Sequence, residues 1–246
     1  MTWLLWSTIG FGVFYTPLTY AAAITPAWLL GGTWQLTILM GLLLSPLLYR
    51  DDRRRIPRAA LGTSAVILAG VLVMQLATAD QTHAPRHLWL SLLLTLIGAI
   101  AYPLGNRSIM LHLERTGAAL SVYQRVLGMT LASLPFWLLL AVTSYARTGP
   151  PTDAEVLQTA LIALSSGVIA TLLFFRATDL VRTDAVSLAA VEATQAAEVL
   201  FVLLGDVWLL GTAWPGRLAM GGLALVLLGI AAYSVSARPL ADPLGA

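Results

Sequence analysis

Hydrophobic residues run through this chain in long blocks, and the polar positions fall mainly between them. A helix needs about 20 apolar residues to cross the hydrocarbon of a bilayer. Charged and turn residues cut the 246-residue chain into eight such blocks. The expected spans are Trp3–Ala23, Ala27–Tyr49, Ala59–Ala79, Leu88–Asn106, Ser121–Ser144, Val156–Phe175, Ala185–Trp208 and Leu218–Ala237. Thr25-Pro26 separates the first two, because proline has no N–H to continue a helix and restricts the residue before it. The connections are short except Ala79–His87 and Tyr145–Glu155, which leaves no room for a soluble domain. The expected fold is an all-α integral membrane bundle of eight transmembrane helices, one membrane domain over 1–246.

The blocks also repeat. A shift of 160 residues superposes Phe14-Tyr15 on Phe174-Phe175 and Gln35 on Gln195. One residue of slack in the following loop then brings Gly62 onto Gly221, Ala65 onto Ala224 and Gly70 onto Gly229. Spans one to three therefore match spans six to eight, and a displacement of five helices reverses the direction of crossing. Inverted repeats with a binding site near the midplane are an architecture of secondary transporters. The spacing divides the chain into a partial first repeat over 1–79, with three helices, and a second repeat over 88–237, with five. That is three plus five where two equal copies would give five plus five. Either two helices precede this arrangement, or a second subunit fills their place.

Charge adds an orientation. No charged residue precedes Arg50, and all fourteen basic residues are arginines. Arg50, Arg53, Arg54, Arg55, Arg58, Arg107, Arg115, Arg125, Arg176, Arg182 and Arg238 fall on one side, against Arg86, Arg147 and Arg217 on the other. The excess marks the cytoplasmic side, so both termini are expected there, in the cytoplasmic membrane. The N-terminal block has no basic n-region and runs on into a second span, so it reads as a mature helix rather than a signal peptide. Composition agrees: 58% hydrophobic and 11% charged residues compare with about 25% charged in soluble domains. The absence of cysteine excludes disulfides, thiolate metal sites and thiol catalysis.

Four stretches carry a family resemblance: TPAWLLGGTWQLTILMGLLLSPLLYRDDRRRIPR at Thr25–Arg58, AYPLGNR at Ala101–Arg107, VYQRVLGM at Val122–Met129 and LAAVEATQAAEVLF at Leu188–Phe201. Together they resemble the drug/metabolite transporter superfamily, in its branch of multidrug resistance efflux transporters. The resemblance implies ten helices in two inverted five-helix repeats and export of small molecules. This chain is similar to helices three to ten of that pattern.

The candidate chemistry centres on Glu192, Gln195 and Glu198, three residues apart in the seventh span and so within one sector of a helix face. Glu192 lies about eight residues in, or ~12 Å at 1.5 Å per residue. A carboxyl there favours its neutral form and can trade a proton for a cationic substrate. Alternatively it hydrogen-bonds Gln35 or a carbonyl and never titrates. Gln35 and Gln195 are equivalent in the repeat. An amide in a membrane is commonly helix–helix glue, but the symmetric position adds a substrate-contact role. Trp34 adjoins Gln35 and offers an aromatic face to a desolvated cation; Tyr15, Tyr20 and Trp137 read first as packing. Asp206, at the outer end of its span, reads as solvated. Arg125 either snorkels to the surface or pairs with an acid. The glycines of spans two, three and eight are expected to permit close packing, and Pro17, Pro46, Pro103 and Pro135 to interrupt helices.

Neither a Walker A sequence nor a nucleophile–base constellation is present. His83 and His87 flank Pro85 in a polar connection and make a poor metal site. No cofactor, metal or enzymatic activity is expected. The leading expectation is a secondary transporter that exports small cationic or amphipathic compounds by alternating access, coupled to protons. Its partners are a small-molecule substrate, the lipid bilayer, protons and, in a homodimer, a second copy, with no nucleic acid. The rivals are an exporter of an endogenous metabolite such as an amino acid or nucleoside, and a truncated membrane subunit that transports nothing.

Overall fold

The computed structural model describes residues 1–79, 85–170, 172–173, 176–177, 180 and 185–236; within these, the side chains of residues 85, 185–193, 195, 196 and 236 are outside the description. The described residues are helical and contain no strand. Among the described residues, six helices are long and apolar enough to cross a membrane: Ala27–Leu48, Asp52–Ala79, Arg86–Thr116, Val122–Thr148, Asp153–Ala170 and Arg217–Val235. The repeat match at Phe174-Phe175, and Arg182, His83 and Arg238, lie outside the described residues.

The N-terminal rod consists of α1 (Thr2–Ser7), a π-helical stretch Thr8–Val13 and α2 (Phe14–Ile24). A second rod follows as α3 (Ala27–Trp34) and α4 (Leu36–Leu48), joined at Gln35, then α5 (Arg58–Ala79) and α6 (Pro85–Thr116). Next come α7 (Val122–Thr148) and α8 (Asp153–Ile162), the latter continuing as a second π-helical stretch Ala163–Ala170. The chain then forms α9 (Ala185–Trp208) and α10 (Arg217–Ser236). Local sequence explains several ends. Ser121 caps α7 and Thr152 caps α8, each in a reciprocal box with Gln124 or Glu155 three residues on. Gly149, at φ 80°, ends α7 in a conformation that L residues avoid.

The four prolines do not interrupt their helices, contrary to the sequence expectation. Pro17, Pro46, Pro103 and Pro135 lie inside α2, α4, α6 and α7. A helical proline strips the carbonyl four residues earlier of its donor. For Pro103 that carbonyl is Ala99, and the Thr37 hydroxyl of α4 donates to it at 3.3 Å. A neighbouring helix thus supplies the missing bond, as proline within a membrane helix requires.

The core forms where α5 and α10 cross. Ile67, Val71 and Met74 of α5 are fully buried, and Leu223, Val226 and Ile230 of α10 nearly so. A Cβ built on Gly70 would lie 2.7 Å from the Gly222 carbonyl oxygen and 2.8 Å from the Val226 nitrogen. One built on Gly229 would lie 3.0 Å from the Ile67 nitrogen and 3.3 Å from the Thr63 carbonyl oxygen. The order reverses between the helices, so they run antiparallel with backbones in contact. The expectation of close packing holds for Gly70, Gly222 and Gly229. It fails for Gly62 and Gly221, which face open space: both lie on helix faces turned away from the crossing.

The α9 helix packs on α3 and α10. Asp206 is buried, with only 3% of its surface exposed, and accepts a hydrogen bond from the Trp28 backbone N–H at 3.1 Å. This corrects the solvated reading. Asp206 satisfies an otherwise orphaned N–H in the first turn of α3 and complements the positive end of its dipole. On the arginine-rich side, a side-chain hydrogen bond from Arg53 holds the Asp51 carboxyl below its ordinary pKa.

Gly70→Ala is expected to destabilise the fold by about 1–3 kcal/mol, the range for overpacking a tight interface, seen as a lower melting temperature in detergent. Gly62→Ala, in open space, should leave the melting temperature unchanged or raise it slightly.

Candidate functional site

Three helices each turn one face toward a common cavity of about 560 Å3. The N-terminal rod contributes Phe11 and Tyr15, α6 contributes Tyr102, Asn106 and Met110, and α7 contributes Arg125, Val126, Thr130, Ser133 and Trp137. Spacings of three and four residues put each set on a single helix face. Gly167 closes the cavity from the second π-helical stretch. Phe11 lies in the first one, so both π-helical stretches border the same space. Extra-residue turns of this kind recur at functional sites because they re-aim side chains and loosen backbone bonding.

Close backbone contact places the wall. Gly105 of α6 lies against the Gly10 backbone, and a Cβ on Gly105 would also meet the Trp6 carbonyl oxygen at 2.6 Å. Behind the cavity stands an aromatic cluster. The Phe14 ring is 5.0 Å from Trp34 and 5.1 Å from Tyr102, and Trp34 meets Tyr102 edge-on at 5.8 Å. Trp34 therefore supports the wall through Tyr102 rather than lining it.

Three polar side chains of the cavity spend a hydrogen bond on their own helix. The Asn106 amide donates to the Tyr102 carbonyl at 3.0 Å, Thr130 to Val126 at 2.9 Å and Ser133 to Thr130 at 2.9 Å. Arg125 makes no ion pair with a described residue. It borders the cavity with the Tyr102 and Asn106 side chains. A desolvated guanidinium surrounded by phenols and an amide can hold a carboxylate or phosphate, or stack on a planar ring. No carboxylate lines the described wall. A second cavity of about 490 Å3 continues toward the far end of α7, bordered by Thr16, Thr19, Tyr20, Thr143, Ser144 and Arg147. Trp137 lines both.

Gln35, Trp34 and Glu198 are not among the residues that line this cavity. Gln35 is buried where α3 meets α4, and its amide donates to the Gly31 carbonyl at 3.3 Å. Glu198 is exposed on α9. Glu192 and Gln195 are on the same helix, but their side chains lie outside the described residues. Gly31 approaches Val202 and Trp28 bonds Asp206, so α3 and α9 run antiparallel. The same register one turn on brings Gln35 level with Glu198. The structure places Trp34 against the cavity wall through Tyr102. Sequence reasoning left out Phe11, Tyr102, Asn106, Thr130 and Ser133. Their signal was the three-to-four-residue stripe of rings and hydroxyls on each helix.

The sequence matches the EmrE family model, described as "Putative multidrug resistance efflux transporter", over residues 1–239. The chain belongs to this family. It is a multi-pass membrane protein of a transporter family. It is 48% identical over 246 residues to "Uncharacterized protein YjlA" of Bacillus subtilis (strain 168), covering 96% of this chain and 75% of that protein. It is 42% identical over 202 residues to an "Uncharacterized 42.1 kDa protein in intracellular alkaline protease 3'region" of Shouchella clausii, covering 80% of this chain and 52% of that protein. The chain thus spans three quarters of the first relative and about half of the second. No solved structure matches it.

Tyr102→Ala removes the ring that Phe14 and Trp34 contact, and should lower the melting temperature by the equivalent of about 1–3 kcal/mol. Tyr102→Phe keeps the ring and should stay within about 0.5 kcal/mol of the parent.

Proposed function

We propose that this chain exports small amphipathic compounds by alternating access, through the space between the N-terminal rod, α6, α7 and the helix that begins at Asp153. The carrying observation is the cavity that the AYPLGNR and VYQRVLGM stretches line together, with a second cavity beyond Trp137. Two cavities separated by one aromatic residue suit a path that opens to one side at a time.

The reading includes eight spans, the six above plus the N-terminal rod and α9, with both termini cytoplasmic. It also includes an inverted repeat, and the α5–α10 contact supports this. In the register that superposes Gly70 on Gly229, Ile67 falls on Val226 and Thr63 on Gly222. Gly70 meets Val226 and Gly222, and Gly229 meets Ile67 and Thr63. Each contact has its mirror image, as an isologous two-fold contact requires. The helices matched as spans one and six also both carry a π-helical stretch.

Glu192 is proposed as the proton-binding group, supported by Gln195, Glu198, Gln35 and Trp34. The antiparallel register of α3 and α9, read from Trp28–Asp206 and Gly31–Val202, would put Gln35 at the height of Glu198 when extended by one turn. In proteoliposomes a pH gradient should drive accumulation of a fluorescent organic cation, and Glu192→Gln should abolish the dependence on the gradient. Uptake indifferent both to the gradient and to the substitution would overturn the coupling.

Arg125 favours a second reading, an endogenous metabolite bearing a carboxylate, such as an amino acid. Arg125→Gln would then raise KM for that substrate about 10- to 100-fold, the loss of a hydrogen bond to a charged group, while Arg125→Lys recovers part of it. Equal transport by all three proteins would exclude it.

A further inference from the structure

At the arginine-rich end of α4, α6 and the N-terminal rod, two small cavities open side by side and share Leu48, Arg50, Leu111 and Arg115. The larger, about 350 Å3, also holds Asp51, Arg53 and Glu114. Its acids are already matched: Arg53 bonds Asp51 at 2.7 Å and Glu114 at 2.9 Å, and lies 4.4 Å from the centre of the Tyr49 ring.

The smaller cavity, about 220 Å3, is completed by Trp6, Leu47 and Ser108, with no carboxylate in its wall. Its two guanidiniums, Arg50 and Arg115, make no ion pair or side-chain hydrogen bond with a described residue. Glu114, whose carboxylate Arg53 bonds, also feels the charge of Arg115 beside it. The Ser108 side chain is buried, 7% exposed, and its hydroxyl has no hydrogen-bond partner among the described residues. Two unmatched cations and an unsatisfied buried donor around an acid-free hollow form an incomplete anion site.

We propose that this hollow binds the phosphate of an anionic phospholipid, held by Arg50 and Arg115 and by a hydrogen bond from the Ser108 hydroxyl. The rest of the wall selects a lipid over a free anion. Leu47 is 79% exposed beside the opening, giving an acyl chain apolar surface to follow. Trp6 supplies the amphipathic ring favoured at headgroup depth. The position, where spans meet the basic loop, is where headgroups lie. The bound lipid would bridge the N-terminal rod, α4 and α6, and so brace one wall of the transport cavity from its end.

The test is quenching of Trp6 in bilayers containing brominated phosphatidylglycerol or brominated phosphatidylcholine, with Trp6→Phe giving the background of the other tryptophans. The anionic lipid should quench the Trp6 component more strongly at equal mole fraction. Arg115→Gln or Arg50→Gln should each reduce the preference about fivefold. Arg54→Gln, an exposed arginine outside both cavities, should leave it intact. Equal quenching by the two lipids in the unaltered protein, which depends on no variant folding, would overturn the proposal. So would full displacement of the anionic lipid by soluble glycerol phosphate, which would make the hollow a site for a free phosphate.

Discussion

The rest of the bundle depends on the backbone contact between α5 and α10. At Gly70 and Gly222 no side chain separates the helices, so dispersion contacts run along both flanks rather than through one row of side chains. In a membrane this matters more than in water, because lipid tails give helices no hydrophobic reason to associate. The crossing fixes the heights of Ile67, Val71, Met74, Leu223, Val226 and Ile230. Met74 then reaches Gly32 on α3, which sets the second rod against the pair. From there Trp34 passes the position on to Phe14 and Tyr102, and the cavity wall stands where that chain of contacts puts it.

Several polar groups within this body tie one helix to the next. Asp206 accepts from the start of α3, and Arg107 donates to the Gly41 carbonyl and, at 2.9 Å, to the Ser45 hydroxyl. Gln75 donates to the Thr33 hydroxyl at 3.0 Å, which in turn donates to Leu29. These groups join one helix to the next, as desolvated polar groups must if they are not to destabilise the fold. Arg125 is different. Its described neighbours are the rings and the Asn106 amide of a cavity, which accords with the proposed binding role.

Much of this was legible in the sequence. The α9 helix ends at Trp208 as expected, and α5 and α10 begin one residue before the expected Ala59 and Leu218, because charges or turn residues flank these blocks. The α6 helix was underestimated: it runs on from Asn106 to Thr116 because polar residues at its end remain good helix formers in water. The glycines announced close packing but not which of them make it, since Gly62 and Gly70 share a helix and differ only in facing. Asp206 was misread because a carboxylate at a helix end looks solvated until the start of another helix is placed beside it. The site was the least legible part. Its lining is divided among helices distant in sequence, and each contributes residues that look like ordinary packing alone. Tyr102 and Arg125 gain meaning from each other.

The cavity also lies at a boundary in packing. On one side stands the well-buried body of α3, α5, α6, α9 and α10. On the other, α7 rests chiefly on the N-terminal rod, and the helix from Asp153 to Ala170 is exposed along its whole described length. Few contacts need to break for α7 to shift against the rod, and local stability follows the number of such contacts. Its two ends differ in what holds them. The Arg125 end adjoins Gly128, on which Trp3 packs closely, and the middle carries Phe136 against Gly12, while the Arg147 end borders the second cavity. A rocking motion on the proposed mechanism would therefore pivot between Gly128 and Phe136 and move the Arg147 end most. Burial is greatest where the protein must stay fixed and least along the wall that the proposed path requires to move.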